Sequence, residues 1–95
     1  MPVVNFHIIW PDQTESKCYS PSTVIKEHLT EGETYALDEF MTLTRLAMDA
    51  ASERVRARYG YACSAAADQM EIIERDALRY NSVQDAKVKV TKFSL

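Results

Sequence analysis

Three arginines, Arg54, Arg56 and Arg58, alternate along the stretch ERVRARYGYACS at residues 53–64, which goes on to supply Tyr59, Gly60, Tyr61, Cys63 and Ser64. These residue types could serve three chemistries. Guanidinium groups clamp carboxylates and phosphates. Aromatics flanking a glycine stack bases in RNA-recognition sheets. A cysteine beside a cation or a helix N-terminus can be held as a nucleophilic thiolate. The backbone decides among them. On a strand the three arginines would share one side; on a helix Arg54 and Arg58 are neighbours and Arg56 points away.

The flanking sequence favours the helix. Gly60 suits the position just past a helix end, and Ser64 suits the cap of the next helix. At such a junction the aromatics of RYGYAC form no base-stacking platform, and cations in a last helical turn are favoured by the dipole even without a ligand. What remains is a candidate site for a small anion or metabolite, built from Arg54, Arg58, Tyr59, Tyr61, Cys63 and Ser64. Cys63 is its single catalytic candidate. No base accompanies Cys63 in sequence, so the fold would have to bring His7 or His28 to it. Cys18 and His7 complete the set of ligand-binding candidates. The acidic group Glu31, Glu33, Asp38 and Glu39 is a weak metal site, since two of its members suit a helix start and the others a solvated loop. No zinc-ligand spacing exists, and neither a metal nor a cofactor is implied.

Bulk composition narrows the field. Ninety-five residues make one α+β domain spanning 1–95, large enough for one modest core. Hydrophobic residues are 46% and charged residues 26%, as in ordinary globular chains. A net charge of −3 and a pI near 5.3 argue against a protein built to coat nucleic acid. Two cysteines are too few for a disulfide scaffold, and a Cys18–Cys63 bond is disfavoured in a reducing compartment. The opening MPVVNFHIIWPDQ lacks a basic leader and a cleavage site, and its apolar run is too short to span a membrane. The expected setting is cytoplasmic, with no membrane partner.

The elements that must position these residues follow from periodicity. VVNFHIIW alternates Val4, Phe6, Ile8 and Trp10 with Val3, Asn5, His7 and Ile9, and PDQT turns it into a second strand, ESKCYS. One face of that strand carries Ser16, Cys18 and Ser20. Ser20 can cap, and Pro21 can begin, a two-turn helix ending near Gly32; GETYAL then reads as an extended connector. Asp38 is expected to cap a long helix running to Tyr59, with Leu37 in a hydrophobic staple. Its apolar face holds Phe40, Leu43, Leu46, Ala47, Met48, Ala50, Ala51 and Val55; Arg45, Asp49, Ser52, Glu53 and Arg56 share the polar one. A second long helix, from about Ala65 to Arg79, presents Ala66, Met70, Ile73 and Ala77. In AKVKVTKFSL, Val88 and Val90 alternate with lysines, making a last strand whose lysines suit an exposed face or an edge. The order is β-β-α-α-α-β: a hairpin plus a C-terminal strand forming an antiparallel sheet, covered by two long helices.

Two stretches, FHIIWPDQTESKCYSPSTVIKEHLTEGETYAL and ASERVRARYGYACSAA, resemble a family of small bacterial nitrogen-starvation-response proteins. The shared pattern is a WPDG start leading to CYSPS, a connector with GE and Tyr, and an RVRA–YG–CS junction. Its motif residues here are Cys18, Tyr19, Ser20, Pro21, Arg54, Arg56, Tyr59, Gly60, Cys63 and Ser64. The chain departs from the pattern at Gln13, where a glycine is usual, which argues against a tight glycine turn. The resemblance implies a place beside a nitrilase, in gene clusters tied to nitrile or cyanide nitrogen use; it implies no catalytic residues. A smaller stretch, TEGETYALDEFMTLTRLAMDAASE, resembles HicB-type antitoxin domains.

The function expected first is therefore a non-catalytic accessory or interaction protein of a nitrilase gene cluster, self-associating and working with the cluster's enzymes. The alternatives are binding of a small anion or nitrile-derived metabolite, a thiol-dependent enzyme using Cys63, and a HicB-like RNA-interaction module.

Overall fold

The computed structural model describes residues 3–60 and 64–94. The candidates Tyr61 and Cys63 lie outside the described residues. Strands β1 (Val4–Ile9) and β2 (Glu15–Ser20) form the expected hairpin, and β4 (Lys87–Ser94) pairs with the other side of β1. A short strand β3 (Thr34–Ala36) adds to β4, so the sheet order is β2-β1-β4-β3 with every pairing antiparallel. Helices α2 (Leu37–Tyr59) and α3 (Ser64–Leu78) supply the second layer, and α1 (Ile25–His28) is a single turn between β2 and β3. This is the expected α+β sheet-and-helix architecture.

The core forms where the periods of strand and helix meet. Val4, Phe6, Ile8 and Trp10 of the first strand region, Cys18 of β2, and Val88 and Val90 of β4 point to one side of the sheet. They join Phe40, Ala47 and Met48 of α2 and Ala66, Ile73 and Ala77 of α3 in one buried cluster. Trp10 stacks on Tyr80 with ring centroids 5.5 Å apart and meets Phe40 edge-on at 6.1 Å. Its indole N–H donates to Ser16 Oγ at 2.8 Å, which satisfies the one polar atom of a buried ring. Ala47 and Ala51, both fully buried, are the small contacts expected on α2.

Several local expectations are corrected. The GETYAL connector becomes β3 because its neighbours are already tied to β4: the Gly32 N–H donates to Val90 O and the Val90 N–H to Glu33 O. Asp38 does not cap α2. Ala36 holds the cap position in extended conformation, and Asp38 and Glu39 sit in the first turn, where the helix dipole favours negative charge. Ser20 and Pro21 do not begin α1. Ser20 ends β2 and its hydroxyl donates to Ser22 O, so the chain reaches helical geometry only at Val24 and Ile25. Leu46, expected on the apolar face of α2, is 53% exposed, whereas Thr44 is fully buried and its hydroxyl has no partner among the described residues. The hairpin turn is tight without glycine. The Gln13 N–H donates to Trp10 O, the Trp10 N–H donates to Thr14 O, and Gln13 itself takes the left-handed conformation with φ 73°. At the far end of α2 the expectation holds: Gly60 is left-handed, and its N–H donates to Arg56 O.

Candidate functional site

At the junction of the two long helices the arginines divide as helical spacing requires. The Arg54 guanidinium reaches Glu27 at 3.1 Å and Ser22 Oγ at 3.4 Å, so it ties α2 to α1 and the segment before it. Arg56 pairs with Glu53 one turn back, at 3.6 Å. Arg58 lies 5.8 Å from the Tyr59 ring centroid, in cation–π range. Ser64 begins α3 and is exposed, as is Tyr59. The arginine spacing read from sequence is thus present. Arg54 is engaged within the fold, and these partners are exposed enough that each contact contributes little to stability.

Cys18 faces the helices from β2 and is 2% exposed. Burial first, then the Asp76 charge, pushes its thiol up to about 12. At neutral pH it is a protonated apolar contact and a poor nucleophile. At the hairpin tip the order is reversed. The side chain and then the backbone N–H of Thr14 donate to Asp12, holding this exposed carboxyl below its ordinary value. Among the described residues no group of three or more acidic, His or Cys side chains is placed to hold a metal ion. Glu31, part of the acidic group read from sequence, instead accepts the Phe93 N–H at 3.1 Å.

The least expected feature is the other side of the sheet. Both long helices pack on the face that carries Phe6 and Val90. The opposite face carries Asn5, His7 and Ile9 of β1, Glu15, Lys17 and Tyr19 of β2, and the outward residues of β4 and β3. Register decides which residues meet there. His7 is opposite Lys17 on one side and opposite Lys92 on the other, so the three stand in a row across β2, β1 and β4. Adjacent strands are ~4.8 Å apart, so neighbours in this row are within side-chain reach.

A β-bulge makes this row. Ile8 pairs with Val90 but His7 pairs with Lys92, which leaves Thr91 as the extra residue, its hydroxyl donating to His7 O at 3.1 Å. Simple alternation along β4 would put Lys92 on the side of the valines and Phe93 on the side of the lysines. The bulge exchanges them. Phe93 turns towards the core opposite Phe6, and Lys92 turns out opposite His7. His7 Nε2 lies 3.0 Å from Ser94 Oγ, one of the two being the donor. Around the row is a depression of about 370 Å³ lined by His7, Glu15, Ser16, Lys17, Thr91 and Lys92. A second, of about 290 Å³, lies further along the same strands between Ile9, Gln13, Thr34, Lys87 and Lys89.

Of the candidate residues, the structure thus places His7 in a basic cluster, Cys18 in the core, and Arg54 and Arg58 at the helix end. Lys17 and Lys92 were not among the candidates. The alternation of β4 exposes Lys87 and Lys89 in sequence, but nothing in the sequence marks the bulge that brings Lys92 beside His7.

A model of the family described as nitrogen starvation-induced protein NitG matches residues 5–93. No curated protein and no solved structure matches the chain.

Proposed function

The chain belongs to the NitG family of nitrogen starvation-induced proteins, and from that premise we propose that it is a non-catalytic accessory protein that docks its open sheet face on an enzyme of the nitrilase gene cluster. The observation that carries this reading is the uncovered face. The described helices pack on one side of a four-stranded sheet and leave the other to solvent. An antiparallel sheet tolerates one wet face, so exposure alone is no argument; its charge is. Among the described residues, Lys17, Lys87, Lys89 and Lys92 share that face with one carboxylate, Glu15, in a chain whose net charge is −3. The rest of the molecule is correspondingly acidic. A basic face on an acidic protein steers an acidic partner to one orientation and rejects others.

The same charge pattern bears on self-association. Two copies apposed sheet to sheet would set lysine against lysine, so an oligomer fits better through the sheet's ends or the helix layer than through this face. No described helix is long and apolar enough to cross a membrane. A buried free thiol at Cys18 is compatible with the reducing, cytoplasmic setting proposed for the protein.

Size-exclusion of the purified chain with the nitrilase encoded beside it tests the docking. Co-elution is expected at tens of micromolar, weakened about tenfold by the double substitution Lys87→Glu and Lys89→Glu, which corresponds to about 1.4 kcal/mol. Separate elution of the two wild-type proteins overturns the proposal, as does co-elution that the double variant leaves unchanged.

A further inference from the structure

We infer that the row Lys17–His7–Lys92 is a binding site for a small phosphate-bearing anion, on the same open face as the proposed docking surface but independent of whether that docking occurs. Three observations converge on it. The register sets Lys17 and Lys92 on either side of one imidazole, two strand spacings or ~10 Å apart, so that their flexible stems can converge on one anion above His7. The four ion pairs formed among the described residues, Arg45–Glu74, Arg54–Glu27, Arg56–Glu53 and Arg75–Glu71, involve the helices, and no described carboxylate lies within 4.0 Å of a sheet lysine. And the bulge at Thr91, which interrupts the β1–β4 ladder, is what brings Lys92 onto this face. Bulges re-aim side chains in this way beside functional sites.

The donors suit phosphate. A lysine ammonium binds phosphate as a point charge on a flexible stem, so two of them can converge from neighbouring strands on one anion. Ser94 holds the imidazole through Nε2, Nδ1 has no hydrogen-bond partner among the described residues, and His7 lines the depression. The depression of about 370 Å³ is large enough for a phosphate monoester of modest size. Glu15 is the one acid lining it; two residues from Lys17 on the same strand face, it disfavours a second negative group on that side. The ligand therefore carries its anion at one end.

Inorganic phosphate is the probe. Amide shifts of the wild-type protein are followed by NMR during titration with phosphate, with sodium chloride holding ionic strength constant. Saturable shifts centred on His7, Lys17, Lys92 and Ser94 are expected. Each of Lys17→Ala and Lys92→Ala should weaken binding about tenfold, the loss of one charge-assisted hydrogen bond. Lys87→Ala, on the same face but in the other depression, should leave it unchanged. These lysines are exposed, so the variants should keep the wild-type circular dichroism spectrum. Shifts that do not saturate, that are equal in Lys87→Ala and Lys92→Ala, or that acetate reproduces at equal concentration overturn the assignment.

Discussion

The two faces of the sheet are written by the same residues of β1, taken alternately. Val4, Phe6 and Ile8 are fully buried; Asn5, His7 and Ile9, their immediate neighbours, are half-exposed. On the covered face nearly every contact is apolar and the Trp10 indole finds its acceptor locally in Ser16, whereas the buried Thr44 hydroxyl has no partner among the described residues. On the open face polar and basic groups accumulate and, Glu15 apart, the described carboxylates that would neutralise them are elsewhere. Stability is thus concentrated on one side of a single layer of backbone, and the other side is left free to change its side chains at small cost. That division is what a site grafted on a scaffold requires.

The sharpest way to break the covered face is Trp10→Ala. It removes the ring that stacks on Tyr80 and abuts Phe40, and it leaves Ser16 without its donor. A loss of about 3–5 kcal/mol is expected, read as a lower urea midpoint with unchanged slope. In a domain of this size that is a large share of the total stability. A loss under about 1 kcal/mol would mean that the face is less tightly packed than its burial implies.

Cys18 gives a gentler probe of the same face. Its thiol holds its proton in the folded state up to about pH 12, whereas the unfolded chain releases it near 9.0. The folded state therefore binds the extra proton, and stability falls as pH rises between those values, by about 1 kcal/mol per pH unit. Cys18→Ala should flatten this alkaline slope while lowering stability modestly at neutral pH. Urea denaturation of both proteins from pH 8 to 10 measures the difference, and equal slopes would show that Cys18 is not sealed from water.

How much of each face could be read in the sequence differs, for physical reasons. The covered face was legible because burial enforces period: the alternation in VVNFHIIW, the spacing of Ala66, Ile73 and Ala77, and the turn glycine Gly60 all carry local signals. Strand β3 was not, since three residues have little strand preference of their own and exist as a strand only through β4. The hairpin and its turn at PDQT were legible, but not that Gln13 would take the left-handed conformation, which an L side chain disfavours by ~1–2 kcal/mol and which pairing on both sides enforces. Asp38 looked like a cap, but Leu37 is already helical and donates its N–H to Ala86 O, a long-range contact invisible in sequence. The open-face row was hidden for the same reason. A one-residue bulge inverts the facing of Lys92 and Phe93, and only the β1–β4 register reveals it.

The smallest expected effect tests the open face, and it separates two descriptions of it. If Lys17, His7 and Lys92 were only a solvated surface, replacing Lys17 would change stability by less than about 0.5 kcal/mol at any salt concentration. If the row is electrostatically strained, wild-type stability should rise with sodium chloride as screening relieves the repulsion, since the Debye length shrinks from about 10 Å at 0.1 M to about 3 Å at 1 M. Lys17→Thr keeps a side chain suited to a strand and removes one charge from the row. It should gain up to about 0.5 kcal/mol at low salt and lose most of the salt dependence. Lys26, also exposed but on α1 with its ammonium 5.9 Å from the Phe93 ring centroid, supplies the control: Lys26→Thr should leave the salt dependence of the wild type in place. A wild type indifferent to salt, or a Lys26→Thr variant that flattens the curve as much as Lys17→Thr, would remove the strain from the row. With it would go the reason that an anion should prefer that row to any other lysine on the surface.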